Sequence, residues 1–227
     1  MSKTPKKSVL STVALLFISG CAHSTLADTP TPCSPANPES FAKASAELQH
    51  LKDEDQADRQ GPVNAIDWAR VSPRDLERRV RVATLFAEGC FHDGKDYAAA
   101  AMIYQHGDGP DHPFQAFIWA KRALELGDMG ENKWLMAAAL DRYLVRSGQK
   151  ELFATQYSKD TGSECWCLEP TELSFPDAER AEYTKKSIQQ ALEGSKQFDS
   201  NPGACAETTY CKHDLKPSPR GTVPGFW

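Results

Sequence analysis

The chain lacks any apolar run long enough to cross a lipid bilayer. The run near its start, residues 9–18, covers ten positions, whereas a membrane-spanning helix needs roughly 20 apolar residues. Three common enzyme signatures are also missing: a glycine-rich phosphate loop, a G-x-S-x-G turn and an H-E-x-x-H helix. The sequence therefore does not indicate a P-loop enzyme, an α/β-hydrolase or a zinc protease, and by itself it names no reaction.

Positive charge is also scarce relative to negative charge. The chain has 26 lysine and arginine residues against 31 aspartates and glutamates, which gives a net charge of −5. Removal of residues 1–20, which contain three lysines and no acidic residue, brings the net charge to −8. Because an acidic surface repels phosphates and anionic lipids, we expect neither nucleic acid nor an anionic membrane surface as the main partner.

What the start of the chain does contain is a pattern typical of export. Three lysines precede the apolar run, which ends in Ile18-Ser19-Gly20-Cys21. This order resembles a bacterial lipoprotein signal peptide. The resemblance implies that residues 1–20 are removed and that Cys21 carries acyl chains, including palmitate, which anchor the protein in a membrane.

The residues after Cys21 bear on the location. Ala22, rather than an aspartate, follows the cysteine, and by analogy with lipoprotein sorting this implies the outer membrane, with the protein facing the periplasm. The alternative is an ordinary secreted protein cleaved after Ala27, since Thr25-Leu26-Ala27 is an acceptable cleavage site. Of the two, the residue order favours the lipid-anchored protein of the bacterial cell envelope.

The cysteines predict a disulfide framework. With Cys21 lipidated, an even number remains in an oxidising compartment. Cys90 lies among apolar helical residues and is expected to be a buried free thiol. We expect at least two disulfide bonds among the other five: Cys33, Cys165, Cys167, Cys205 and Cys211. A zinc site is the alternative, but structural zinc sites favour C-x2-4-C spacing; we expect no metal and no cofactor.

Four regions follow from the distribution of prolines and apolar residues. After the signal peptide, residues 21–39 contain four prolines and no apolar periodicity, which predicts an extended linker. Residues 40–195 show helical spacing of apolar residues and are expected to form the domain. Residues 196–227 are rich in proline and glycine and predict an irregular, cysteine-containing tail.

The predicted fold class is all-α. Ser72-Pro73-Arg74-Asp75 is a strong helix start, and short glycine-containing loops separate the helices of residues 72–148. Short loops favour antiparallel helical hairpins. Ala116, Ala120 and Ala123 leave room for close packing, as in a tetratricopeptide (TPR) or Sel1-like solenoid. No strict repeat period recurs, so a compact bundle and a short solenoid both remain open.

Ionisable residues fall on or beside core faces of two helices. On a helical wheel Asp141 shares a stripe with Trp134, Ala138 and Val145, where a carboxylate is costly unless it is paired. His106 lies at the end of an alanine-rich helix, and Arg142 is adjacent to Asp141. Such a group indicates either a buried network that fixes the packing of helices or a functional pocket.

Several motifs together resemble a helical domain family that is widespread in bacteria and has no established activity. They are Asp55-Gln56-x2-Arg59, Asp75-x2-Arg78, Tyr104-Gln105-His106-Gly107-Asp108, Asp141-Arg142-Tyr143-Leu144 and Thr155-Gln156. The resemblance covers about residues 45–157. The family's last motif usually reads Gln-x-(Tyr/Phe)-Gly-Thr-Gln, whereas this chain has Glu151 and Ala154 at the Gln and Gly positions. The resemblance implies a fold and a candidate site but no chemistry.

Two hypotheses for function follow. The first is a periplasm-facing helical module that binds a protein or peptide partner in a groove between paired helices. The second is a hydrolase-like enzyme in which His106 and Asp141 are the catalytic acid and base, while Arg142 and Gln156 bind the substrate. A polar pocket containing all four side chains would favour the enzyme, and an exposed apolar groove would favour the binding module.

Overall fold

The computed structural model describes residues 32–128, 132–199, 205 and 207–227. The expected signal peptide, Cys21 and the first part of the expected linker lie outside these residues. Described residues at both ends of the chain, from Cys33 to Trp227, belong to one compact unit. Within the described part of the chain, no helix is both long and apolar enough to span a membrane.

The predicted helical class is confirmed. The described residues form seven α-helices: α1 Pro38–Ala57, α2 Trp68–Ala87, α3 Gly94–Tyr104, α4 Asp111–Glu125, α5 Asn132–Arg146, α6 Asp177–Thr184 and α7 Ile188–Gly194. Two short strands, β1 Tyr157–Lys159 and β2 Trp166–Leu168, pair antiparallel and were not predicted. They are too short to show the alternating pattern by which a strand is recognised.

Two helix boundaries differ from the prediction. Helix α2 begins at Trp68 because the Asp67 side chain accepts a hydrogen bond from the backbone N–H of Arg70, so Pro73 lies inside the helix. The capping-box spacing of Ser174 and Asp177 predicts a single helix that ends at about Gly194, but the structure divides it into α6 and α7, since Lys185 adopts a left-handed conformation that ends α6. Ser187 then caps α7 with a reciprocal side-chain and backbone pair.

Small residues let the central helices pack closely. Helix α4 packs against both α3 and α5, and α1 packs against α3. Ala116, Ala120 and Ala123 of α4 are fully buried, so the backbones of neighbouring helices can approach without leaving voids. At the end of the chain, the Phe226 ring lies 5.7 Å from the Phe117 ring of α4. The expected irregular tail thus contributes to the core.

Three disulfide bonds join the described cysteines, which confirms the predicted framework of at least two. They are Cys33–Cys90, Cys165–Cys205 and Cys167–Cys211. The prediction of a free thiol at Cys90 was wrong. The backbone N–H of Cys33 donates to the carbonyl of Glu88 at 3.0 Å, and this contact brings Cys33 beside Cys90. The bond fastens residues that the sequence assigned to an extended linker.

Candidate functional site

His106 is held by a carboxylate from a distant helix. It lies just beyond the end of α3, and its Nδ1 is 2.9 Å from Oδ2 of Asp55 on α1. The Asp55 side chain is completely buried. Nδ1–H therefore donates to Asp55, which fixes the orientation of the imidazole ring and its tautomer.

The other ring nitrogen of His106 is available. Within the described residues Nε2 makes no hydrogen bond, and it is not among the enclosed atoms that lack a partner. Burial lowers the pKa of His106, and Asp55 opposes this only in part, because Arg59 and Arg142 repel the protonated ring. The imidazole is thus neutral at pH 7, with a free lone pair on Nε2.

An acid–arginine cluster fixes the position of Asp55. Arg59 donates to Asp55 at 3.0 Å and also pairs with Asp75 of α2. Arg78 pairs with Asp75 at 2.7 Å and with Asp58 at 2.9 Å. Because these charges are buried and each is paired, removal of one would leave another uncompensated. The cluster consists of side chains from α1, from the two residues that follow it and from α2, and it supports His106.

Arg142 and Gln156 lie on the same side of the molecule as His106. Nε of Arg142 donates to Oε1 of Gln156 at 3.0 Å, and Nη1 donates to the backbone carbonyl of Gln105 at 2.8 Å. No carboxylate of the described residues pairs with Arg142. Burial and the nearby Arg146 and Arg59 lower the pKa of Arg142 to about 10. Arg142 is therefore a partly buried cation without a counter-charge.

These side chains line an open cavity of about 550 Å³. Three cations contribute to its lining, and neutral and acidic side chains complete it. The lining residues include Arg59, Asp75, His106, Asp108, Arg142, Arg146, Gln156, Tyr157 and Glu169. A pocket of this volume is within the range that small ligands occupy. The arrangement can bind an anionic group next to a neutral histidine.

Asp141, predicted as a candidate catalytic residue, does not line this cavity. The residue is completely buried, and its carboxylate accepts hydrogen bonds from the loop that follows α5. The donors are the backbone N–H groups of Leu152, Phe153 and Thr155 and the hydroxyl of Thr155, at 2.8–3.1 Å. Asp141 therefore shapes the loop that carries Gln156.

The wheel argument for Asp141 was right about burial but wrong about its surroundings. Trp134, assigned to the same core stripe, is 45% exposed. Ala138 is buried, so only part of the stripe faces the core. Asp141 is buried because a loop folds over it and saturates the carboxylate with hydrogen bonds, and helix periodicity contains no signal for that loop.

A second carboxylate supports the same loop. Glu151 is completely buried and accepts hydrogen bonds from the backbone N–H groups of Thr155 at 3.0 Å and Gln156 at 2.9 Å. Burial raises the pKa of Glu151 well above its usual value, and the neighbouring Asp141 charge raises it further. The raised pKa means that Glu151 binds a proton more readily than an exposed glutamate, and the bound proton relieves the repulsion between two adjacent buried carboxylates.

The loop also contains a strained residue. Ala154 has a φ of 61°, in the left-handed region that favours glycine. We expect Ala154→Gly to raise the free energy of unfolding by about 1 kcal/mol, because relief of backbone strain outweighs the loss of one buried methyl group. Urea unfolding of the two proteins measures the difference. An unchanged or lower stability would show that Ala154 is not strained.

Groups of possible metal ligands occur elsewhere in the described residues. There are three: Asp160 with Cys167 and Cys211, Cys165 with Asp199 and Cys205, and Glu169 with Cys211 and His213. Each group includes at least one disulfide-bonded cysteine. Because a disulfide sulfur offers no thiolate for coordination, none of the three is a site for zinc as the protein stands.

Three of the residues predicted from the sequence, His106, Arg142 and Gln156, line the cavity. The sequence did not predict that Asp55 is the partner of His106. Asp55 was noted only as part of a motif that resembles the family.

Comparisons of the chain with family models, with curated proteins and with solved structures found no match. The site is therefore interpreted from its own geometry.

Proposed function

We propose that the protein is a hydrolase-like enzyme that acts on a small substrate with an anionic group. The observation that carries this proposal is the open Nε2 of His106 beside Arg142, a cation without a counter-charge. Asp55 replaces Asp141 as the carboxylate that assists His106. The motifs of the family resemblance converge on this cavity from distant parts of the chain, which supports a shared site in that family.

The chemistry follows from the protonation states. Neutral His106 takes a proton from water at Nε2 as the water oxygen attacks the substrate's electrophilic carbon. Asp55 accepts the Nδ1–H bond and stabilises the imidazolium that forms. When the intermediate breaks down, the leaving oxygen takes that proton and His106 is neutral again. Water is the nucleophile, since no side chain of the described residues donates to Nε2 of His106.

Arg142 is expected to determine which substrates bind. The test compares hydrolysis of two esters, mono-4-nitrophenyl succinate, which is anionic, and 4-nitrophenyl butyrate, which is neutral. We expect the wild-type protein to prefer the anionic ester and Arg142→Gln to lose that preference by ten- to a hundredfold, because a charge-assisted hydrogen bond contributes about 1.5–3 kcal/mol.

The matched control is Arg122→Gln. Arg122 lies on α4, its side chain is 50% exposed, and it does not line the cavity. This variant should retain the preference of the wild-type protein. Equal hydrolysis of the two esters by the wild-type protein, or hydrolysis of neither, would contradict the proposed function.

We propose that the protein is anchored by lipid to the bacterial envelope, at the outer membrane and facing the periplasm. The support is the residue order around Cys21. We expect Cys21→Ser to accumulate as an unprocessed precursor or to leave the membrane fraction, which fractionation and intact-mass analysis would detect. A mature protein that begins at Asp28 would instead indicate an ordinary secreted protein.

A second candidate function is a binding module for a protein or peptide. An apolar cavity of about 520 Å³ favours it, and Phe86 and Ile118 at its edge are 47% and 42% exposed. In this proposal α2–α5 form antiparallel hairpins, as a bundle or a short TPR- or Sel1-like solenoid. A photo-crosslinking residue at Ile118 should capture a partner in intact cells, and absence of any crosslink would remove this candidate.

A further inference from the structure

A larger cavity lies next to the His106 cavity. Its volume is about 680 Å³. It is formed by the loop before α2, by both strands and by the turn after α7, and its lining is Gly61, Pro62, Val63, Asn64, Lys159, Trp166, Gln197, Phe198 and Asp199. Val63 lines both cavities. The two cavities are therefore adjacent. They are together called the cleft, with the His106 cavity as its inner part and this cavity as its outer part.

A row of aromatic rings connects the two parts. Tyr157 lines the inner cavity, and its ring centroid lies 5.2 Å from that of Phe198. Phe198 lies 5.4 Å from Trp166 in the outer cavity. The Tyr157 hydroxyl donates to the Ala191 carbonyl at 2.8 Å, which fixes its ring. The row is a half-buried, preformed surface on which flat or puckered rings can stack.

Polar groups surround the outer part of this row. The side-chain amides of Asn64 and Gln197 are exposed and make no hydrogen bond within the described residues. Asp199 accepts from the backbone N–H of Trp166 through Oδ1 at 2.8 Å. The ammonium of Lys159 lies 5.8 Å from the centre of the Trp166 ring. Amide and carboxylate groups beside aromatic faces suit a ligand that has both hydroxyl groups and apolar ring faces.

The size of the cleft indicates a ligand of several units. Each part alone is large enough for one small ligand, since such pockets are typically about 300–1,000 Å³. The inner part contains the cation without a counter-charge, and the outer part contains the aromatic surface. A ligand that uses both parts carries its anionic group at one end and its rings along the row.

We propose that the cleft binds an acidic oligosaccharide, with a carboxylate of one sugar at Arg142 and further sugar rings on Phe198 and Trp166. This inference rests on the proposed function of the His106 cavity and names its substrate class, an acidic oligosaccharide that carries an ester group.

The test measures binding by calorimetry with two probes, galacturonic acid and its linear trimer. We expect the trimer to bind the wild-type protein at least tenfold more tightly than the monomer. Trp166→Ala should abolish this gain and leave monomer binding unchanged. Phe198→Ala removes a second ring independently, so the test does not depend on one variant that could fold poorly. Trp134→Ala is the control, because Trp134 is exposed and lines neither part of the cleft.

The outcomes separate this inference from the proposed function. Equal binding of monomer and trimer, or a trimer gain that survives both ring removals, would overturn the oligosaccharide site while the anion site at Arg142 stands. Tighter binding of an acidic peptide than of the trimer would also overturn it. Loss of the trimer gain in both ring variants, with the gain retained in Trp134→Ala, would support it.

Discussion

Asp141→Asn is expected to lower the free energy of unfolding by about 3–5 kcal/mol. The carboxylate accepts hydrogen bonds from three backbone N–H groups and one hydroxyl of the loop that follows α5. An asparagine has one acceptor oxygen, and its NH₂ group would face a buried N–H donor. Each buried donor left without a partner costs about 1–3 kcal/mol, and the adjacent Glu151 loses its acceptor as well.

Urea unfolding of the variant beside the wild-type protein measures this loss. Asp53→Asn is the matched control: its side chain on α1 is 71% exposed, and the change should have almost no effect on stability. If Asp141 were a catalytic residue, its replacement would leave stability nearly intact while activity was lost. That result would contradict the assignment of Asp141 to loop anchoring.

His106→Gln is expected to reduce hydrolysis of the anionic ester by a factor of about 10²–10⁴, the usual contribution of a general base. Glutamine can retain the hydrogen bond to Asp55, but it cannot take a proton from water. The fold should therefore remain, which circular dichroism and the unfolding curve would show. The comparison is His50→Gln, since His50 is an exposed residue of α1 and should have no effect.

The pH dependence of hydrolysis provides a second readout for His106. Burial lowers the pKa of His106 below its usual value of 6.5. Because the base must be neutral, the rate should fall as the pH drops through that lowered pKa and should be constant above pH 7 until Arg142 loses its proton near its pKa of about 10. A rate that still rises between pH 7 and 8, or a His106→Gln variant with wild-type rates, would show that His106 is not the base.

Local sequence patterns were sufficient for much of the helical part. The small residues Ala116, Ala120 and Ala123 of α4 predict the close packing that the core has. Boundaries were less accurate where two start signals compete: Asp67 caps α2 before Ser72 and Pro73 can. Helix propensity alone does not decide which of two capping signals starts a helix, because the choice depends on packing against other elements.

The site itself depends on contacts between residues far apart in the chain. Asp55 and His106 are separated by 51 residues, and no periodicity links them. Asp141 was correctly expected to be buried, but its partners belong to a loop whose course is set by their hydrogen bonds. Likewise the partner of Cys90 comes from a segment that reads as a linker, since proline content does not reveal that Cys33 reaches the helices.

The central claim is that His106 is a neutral base, with Nδ1–H held by Asp55 and Nε2 open to an anion-binding cavity. Long-range ¹H–¹⁵N NMR of the ¹⁵N-histidine-labelled protein at pH 7 tests it most directly; the chain has six histidines, and the His106→Gln variant identifies the relevant signals. The account predicts a neutral Nδ1–H tautomer whose Nε2 signal shifts when succinate is added. A protonated ring, an Nε2–H tautomer or an Nε2 signal unaffected by succinate would contradict it.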